Sequence, residues 1–359
     1  MLGTNGIGLI MFRFFTTKDR IVDQYAKQTH LESYIPDGVD ILWFNLDGCT
    51  SAMFEEEPDI GFFKWFNTKN IYLFIDGTKE CSELGAPHVV EKFKDELERY
   101  DIDEDHVYWI TGNPHDKKYV KHHIYWEMFL TAVKEMAIHR TEVTLPSRAK
   151  NIDPDRLTYP SKKFICYNGR YRQWRKDLYT EIKNKRIYVS PKSWKQELLL
   201  PEFTYTFQNP PTLHEDSPST PSSHNLWNVL EDVNYLHEFW LITETVNHAA
   251  AEDYGHIFLT EKTFKPILLK MGFLIAGQPG ALKKLRDLGF KTFSDYWDES
   301  YDTIIEWTER KKALVNTIKD IILNDVHVPD EILQYNYDVL MEHKTDQELK
   351  DTLSNLKPI

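Results

Sequence analysis

"HIFLTEKTFKPILLKMGFLIAGQPG", residues 256–280, decides how this chain is read. Glu261, Lys262 and Lys265 stand in front of a strongly apolar run that closes on Gly277, Pro279 and Gly280. Thr260 has the chemistry of a helix N-cap, so "TEKTF" predicts a helix start. "PILLKMGFLIAG" then fits a helix leading into a buried strand, with Gly277 and Gly280 permitting close approach at its end. A lysine in a first helical turn is disfavoured by the helix dipole. A residue set against its local preference points to a ligand, and a diphosphate at this N-terminus removes the conflict. Lys262 would then face phosphate, Glu261 would accept hydrogen bonds from ribose hydroxyls, and Lys265 would be a further phosphate contact. The structural alternative is a surface ion pair between a lysine and Glu252 or Asp253.

The same strand-then-loop grammar recurs along the chain. "VDILWFNLDG" (39–48), "NIYLFIDG" (70–77) and "HVYWITGNP" (106–114) are short apolar runs that stop at Asp-Gly or Gly-Asn-Pro. They read as buried parallel strands. "APHVVEKFKDELERY" (86–100) and "HHIYWEMFLTAVKEMAIHR" (122–140) read as the helices between them. After "TEVTLPSRAKNIDPDRLTYPS" (141–161), a proline-bearing linker, the pattern restarts with the strand "KKFICYNGR". "RIYVS" (186–190) and "EFWLITETVN" (238–247) read as further strands, and residues 208–225 as a Pro/Ser loop. From 303 onward the chain reads as mostly helical. Alternation of strand and helix is the α/β signature.

The expected architecture is two Rossmann-like domains facing a cleft, with a helical C-terminal tail. The boundaries are 1–150 for an acceptor domain, 162–325 for a donor-binding domain and 326–359 for the tail. Ligands of such folds sit at the carboxyl ends of the strands. That places Asp47, Asp76, Asn113, His115 and Asp116 near a cleft. Of these, Asp47, His115 and Asp116 are the candidates for a catalytic base, although each also fits ordinary turn chemistry.

A second constellation is "YNGRYRQWR" (167–175), at a strand end and helix start. Asn168 and Gly169 allow a tight turn. Arg170, Arg172 and Arg175 cluster where backbone N–H groups already favour an anion, and guanidinium groups suit phosphate. A solvated basic turn is the alternative.

In a 359-residue chain with 41% hydrophobic and 14% aromatic residues there is ample core for two domains. The net charge of -13 argues against a general nucleic-acid coat, leaving room for a local basic groove. Three scattered cysteines and no C-x-x-C indicate neither a disulfide framework nor a cysteine zinc site, and a cytoplasmic setting is expected. "MLGTNGIGLIMFRFF" lacks a cleavage site and reads as a first strand or a leader of uncertain start, and no run of about 18 apolar residues suggests a transmembrane segment. Neither G-x-G-x-x-G, a P-loop nor G-x-S-x-G occurs. Adjacent His122 and His123 point to different faces, so no metal pair is expected there. No catalytic metal and no resident cofactor are expected.

The segment "NHAAAEDYGHIFLTEKTFKPILLKMGFLIAGQPG" resembles the donor-binding signature of the α-1,3-fucosyltransferase family. The shared order is Glu252, Asp253, Tyr254, then Thr260, Glu261, Lys262, then helix, strand and glycine turn. "TETVNHA" stands where the family carries Ser-Phe-Glu-Asn, with Glu244 and Asn247 as loose counterparts. The Glu-Lys element is also similar to that of other two-Rossmann (GT-B) glycosyltransferases. "EKTFKPI…GFKTF…DESYD" resembles glycosyltransferases of large DNA phages, which would mean a host cytoplasm. The resemblance implies a nucleotide-sugar-dependent glycosyltransferase, with Glu261 and Lys262 on the ribose and phosphates and one of Arg170, Arg172 or Arg175 on the diphosphate. The donor set is then Asn168, Arg170, Arg172, Arg175, Glu244, Thr260, Glu261, Lys262 and Lys265. The partners are a nucleotide-sugar donor and a hydroxyl acceptor: a glycan, or hydroxymethylated bases of modified DNA. A non-catalytic nucleotide-binding module is the alternative of another class.

Overall fold

A computed structural model describes residues 14–16, 31–45, 71–78, 94–95, 97–99, 101–139, 162–168, 172–183, 195–200, 203–208, 237–248, 257–344 and 346–359. These are mixed α/β, with parallel sheets and helices. They group into two units. Those up to Thr131, with Lys344–Ile359, form one, and those from Ala132 to His343 form the other. Among the described residues no helix is long and apolar enough to cross a membrane.

The first unit holds five parallel strands, β1 (Phe14–Thr16), β2 (Ile41–Asn45), β3 (Tyr72–Asp76), β4 (Val107–Thr111) and β5 (His122–Tyr125). They lie side by side in chain order. A doubly wound sheet reverses direction somewhere to make a switch point; this sheet does not. Its core is an aromatic ladder set by strand register. Trp43 pairs with Phe74, Phe74 with Tyr108 and Tyr108 with His122. Their rings stack in turn at 5.7, 4.9 and 4.9 Å. Each such pair adds about 0.5–1.5 kcal/mol beyond the area it buries.

That ladder corrects one reading. Residues 122–140, expected as one helix, divide into β5 and a helix, α1 (Met128–His139), within which the two units meet along the chain. Pairing with β4 and the Tyr108–His122 stack outweigh the local helical spacing of "HHIYWEMF". The C-terminal helix of this unit, α7 in chain order (Gln347–Ser354), leads to Lys357, whose carbonyl accepts from the Tyr72 hydroxyl at 2.9 Å. Residues 344–359 thus belong with the amino ends of β3 and β4.

The second unit holds β6 (Lys162–Asn168), β7 (Lys195–Leu200), β8 (Phe203–Gln208), β9 (His237–Thr243) and β10 (Gly272–Ala276). Their order is β10-β9-β6-β8-β7, all parallel except β7, which runs antiparallel to β8. The strands "KQELLL" and "FTYTFQ" were not foreseen, whereas "RIYVS" and the segment 141–161 lie outside the described residues. From β6 the chain goes to one side of the sheet, and with β9 and β10 to the other. The carboxyl ends of β6 and β9 therefore flank a topological switch point, the place where open α/β sheets bind ligands.

The helices of this unit are α2 (Gln173–Lys183), α3 (Glu261–Leu268), α4 (Ala281–Asp287), α5 (Trp307–Leu323) and α6 (Asp330–Glu342). The opening stretch folds as read: a Thr260 N-cap, a short helix, then β10 buried along its whole length. Pro266 sits inside α3 and removes one helical hydrogen bond. Burial offsets this, since Phe264, Ile267 and Leu268 are at most 1% exposed.

Candidate functional site

Glu244 organises the switch point. It follows β9 directly, is 1% exposed, and its backbone N–H donates to Ala276 O at 2.9 Å across to β10. Its carboxylate is saturated by neighbours. Oε1 accepts from Thr260 N at 3.0 Å and from the Thr263 hydroxyl at 2.6 Å. Oε2 accepts from the Thr260 hydroxyl at 2.7 Å and from Thr245 N at 3.1 Å. A buried carboxylate thus stitches the end of β9 to the first turn of α3. Its acceptors face protein donors, so it acts as the brace of the "TEK" element. Gln278, just after β10, holds the lead-in, its Oε1 accepting from Phe258 N at 2.7 Å.

On this braced N-terminus stand the acid and base that the sequence singled out. Glu261 is 8% exposed. Burial alone would raise its pKa, but the charges of Lys262 and Lys265 win and bring it down to about 2. It is an anion at any physiological pH. The Lys262 ammonium lies 3.3 Å from Glu261 Oε1, 3.0 Å from Thr260 Oγ1 and 3.4 Å from Thr245 Oγ1. Its side chain remains 26% exposed. The ion pair joins neighbours within the helix; Glu252 and Asp253, the other partners considered, lie outside the described residues.

The arginines divide. Arg170 lies outside the described residues, as does the side chain of Asn168, whose backbone closes β6. Arg175 is 2% exposed, and its Nη2 donates to Thr243 O at 3.0 Å and Glu244 O at 2.7 Å. From the first turn of α2 it clamps the carbonyls at the end of β9. Arg172, half-buried before α2, has a buried Nε with no hydrogen-bond partner among the described residues. Its donors suit an added anion better than those of Arg175.

Arg310 was not singled out by the sequence. It is 2% exposed, donates through Nη1 to Ile304 O at 2.6 Å and Ile305 O at 2.8 Å, and through Nη2 to Asn247 O. Burial lowers its pKa to about 10 against the pull of Asp302 and Glu306. Two guanidiniums, Arg175 and Arg310, therefore pin the 243–247 segment by its carbonyls. Nothing in the local sequence around Arg310 announces this, because its partners are backbone carbonyls, two just upstream of its helix and the third, Asn247 O, on a distant loop. Thr245, Thr263 and Gln278 were missed because their partners, the Lys262 ammonium, the Glu244 carboxylate and the Phe258 N–H, lie far away in the sequence.

The catalytic candidates belong to the first unit. Asp47 lies outside the described residues. His115 is exposed, and its backbone N–H donates to the Asn113 side chain at 3.1 Å. Asp116 is 4% exposed, accepts from Asn113 Nδ2 at 2.9 Å, and has its pKa raised by burial against the opposing effects of Thr111, His115, Lys118 and Asn113. His123, considered only as half of a metal pair, joins this cluster. Its Nε2 is 2.9 Å from Thr111 Oγ1, and burial, aided by Lys117, lowers its pKa to about 4. At the carboxyl end of β5 the Tyr125 hydroxyl donates to Glu127 Oε1. Asp76 instead accepts from Trp43 Nε1 at 3.0 Å and from Thr78 N and Oγ1 at 2.9 and 2.6 Å, which ties β2 and a turn to β3.

A groove of about 640 Å³, lined by Tyr72, Tyr108 and residues of 348–357, opens at the amino ends of β3 and β4. Phe74 and His122 stack against the Tyr108 ring, so its edge rather than its face is on offer. Among the described residues no group of three or more His, Cys, Asp or Glu is placed to hold a metal ion.

Compared with known protein families, curated proteins and solved structures, the chain matches none of them.

Proposed function

We propose that this chain is a glycosyltransferase that moves a sugar from a nucleotide-sugar donor to a hydroxyl acceptor. The observation that carries the reading is the Glu261–Lys262 pair on an N-terminus that Glu244 braces at the β6/β9 switch point. The second unit is the Rossmann-like donor half of a GT-B-type enzyme. Lys262, Lys265 and Arg172 meet the diphosphate, and the ionised Glu261 accepts from ribose hydroxyls. The first unit, with its strands in chain order, supplies the acceptor side.

In the reaction the acceptor oxygen attacks the anomeric carbon as the bond from that carbon to the diphosphate breaks. The acceptor proton passes to a base, for which Asp116 and His123 are the candidates among the described residues. The leaving diphosphate carries the growing negative charge. Lysine and arginine side chains, rather than a metal ion, stabilise it.

The test is a thermal-shift panel of UDP, GDP, CMP, ADP and their sugars. A ligand at 100 times its Kd stabilises by about 2.7 kcal/mol. One nucleotide should shift the melting temperature, Lys262→Ala should abolish the shift, and the matching donor should be hydrolysed slowly. Binding without donor hydrolysis would leave a nucleotide-binding module instead. Turnover unchanged in a folded Lys262→Ala protein overturns the donor-site assignment.

A further inference from the structure

The groove at the amino ends of β3 and β4 has no part in the donor site or in the base cluster. At about 640 Å³ it falls within the range of ordinary small-ligand clefts. Tyr72 and Tyr108 line it from the sheet, α7 and the residues after it line the rest, and all of them belong to the first unit.

Its hydrogen-bonding groups are of both kinds, and several are unmatched. The Tyr108 hydroxyl makes no hydrogen bond among the described residues, whereas that of Tyr72 donates to Lys357 O at 2.9 Å. Burial, then Tyr72 and Asp105, raise the Tyr108 pKa, so the phenol keeps its proton and can donate. The helix brings acceptors. Glu348 and Asp351 stand three residues apart on one face of α7, and neither is paired with a cation among the described residues. The Glu348 carboxylate has no hydrogen-bond partner there, and Asp351 spends only Oδ1, on Gln347 Nε2 at 2.7 Å. Asn355 donates Nδ2 to Asp351 O at 2.8 Å and keeps Oδ1 as an acceptor. The Lys357 ammonium, also unpaired among the described residues, adds a cationic donor.

This mixture selects by elimination. Two carboxylates repel a phosphate-bearing ligand, so the groove is no second nucleotide site. A cationic ligand would meet Lys357, and the Tyr108 ring, stacked between Phe74 and His122, has no face left for a cation–π contact. A hydroxyl both donates and accepts, so a chain of hydroxyls suits unmatched donors and acceptors side by side.

We propose that this groove binds a saccharide, a neutral polyhydroxylated chain held by Tyr108, Glu348 and Asp351. Three residues of β4, at about 3.3 Å each, separate Tyr108 from Thr111 and the base cluster, so the groove is not where the reaction occurs. Its role, though not the binding itself, rests on the transferase reading: it holds a remote part of a glycan acceptor, whose binding energy then helps to position the reacting hydroxyl.

The experiment is saturation-transfer NMR followed by calorimetric titration with cellotriose, maltotriose and chitotriose, and with spermidine as the cationic control. At least one of the sugars should bind, and spermidine should not displace it. Tyr108→Phe keeps the ring stack and removes only the hydroxyl, and Glu348→Gln changes an exposed helical position. Each should weaken sugar binding by about three- to tenfold, the scale of one lost hydrogen bond. Failure of every sugar to bind overturns the proposal, as does sugar binding that both variants leave unchanged. Spermidine binding that Glu348→Gln abolishes also overturns it and makes the groove a cation site. Sugar binding in the groove of a protein that neither binds nucleotide nor hydrolyses a donor leaves this inference standing and removes the transferase reading. Nucleotide binding that depends on Lys262, with a groove indifferent to sugars, does the reverse.

Discussion

Both carboxylate oxygens of Glu244 reach the same residue, Thr260: Oε1 takes its backbone N–H at 3.0 Å and Oε2 its hydroxyl at 2.7 Å. The side chain that ends β9 thereby dictates where α3 begins. Glu244→Ala would leave the Thr260 and Thr245 N–H groups and the Thr260 and Thr263 hydroxyls short of their acceptor. Each buried group left unsatisfied costs about 1–3 kcal/mol. Urea unfolding should show a loss of about 3 kcal/mol or more, and nucleotide binding should be lost with it. Glu244→Gln keeps the shape but offers only one accepting oxygen, so its loss should be smaller. A Gln variant as stable as wild type would contradict the brace.

Glu261 gives acid sensitivity a residue. Its folded pKa of about 2 lies below its ordinary 4.5. A depressed carboxylate adds stability above the ordinary value and loses it as pH falls toward the folded one. The protein should therefore weaken between about pH 4.5 and pH 2. Glu261→Gln should flatten that part of the profile in chemical unfolding at stepped pH. An identical acid limb in the variant would show that Lys262 and Lys265 do not hold Glu261 charged.

The "TEK" stretch was legible because it changes period within a few residues: an N-cap, a helical turn, an apolar strand and glycines each leave a local mark. The strands "YLFID", "VYWIT" and "HEFWLIT" were legible as short apolar runs for the same reason. β5 was not, since "HHIY" runs without a break into a helical pattern and becomes a strand only by pairing with β4. β7 and β8 were missed because one is an antiparallel edge strand in an otherwise parallel sheet. Of the site, Glu244, Glu261, Lys262 and Arg175 were visible in the sequence, whereas Arg310 and the hydrogen bonds that Glu244 and Arg175 make were not. Arg175 stood in a basic run read for phosphate, yet its Nη2 holds backbone carbonyls; Arg310 stood in an ordinary charged helix and does likewise. Carbonyl partners have no sequence signature.

His123 should stay neutral well into acid. Its pKa is lowered to about 4, first by burial and then by Lys117. A base held neutral by the fold costs stability once the unfolded chain can protonate it. The contribution is complete above about 6.5 and is lost as pH falls toward 4. Histidine side-chain NMR should show one ring without a charge at pH 5.5, and His123→Gln should remove that signal. A titration midpoint near 6.5 would place the ring in water rather than against Thr111.

If, as proposed, cationic side chains act as the leaving-group electrophile, turnover is indifferent to chelation. Donor hydrolysis in excess EDTA should stay within about twofold of its value with Mg²⁺, whereas Lys262→Ala should lower it by about 100-fold, the scale of one transition-state charge contact. A collapse of activity in EDTA, restored by Mg²⁺, would assign the electrophile to a metal and leave Lys262 a binding role.

Gly277 tests whether the brace is rigid. A Cβ there would sit 3.1 Å from Glu244 Cβ, 3.3 Å from Ile275 Cγ2 and 3.4 Å from Glu244 Cγ. Those contacts require a neighbour to give way by a few tenths of an ångström. Glu244 cannot do so without loosening the four hydrogen bonds on its carboxylate. Gly277→Ala should therefore cost about 1–3 kcal/mol, in the range of overpacked cores, and should weaken the proposed nucleotide binding by displacing Glu244. In a Glu244→Ala background the added methyl has room, so the two losses should fall short of their sum. Such coupling is expected of residues in contact, and a double-mutant cycle measures it. Additive losses would mean that Gly277 and Glu244 act independently and that the strand end tolerates the extra carbon by another route.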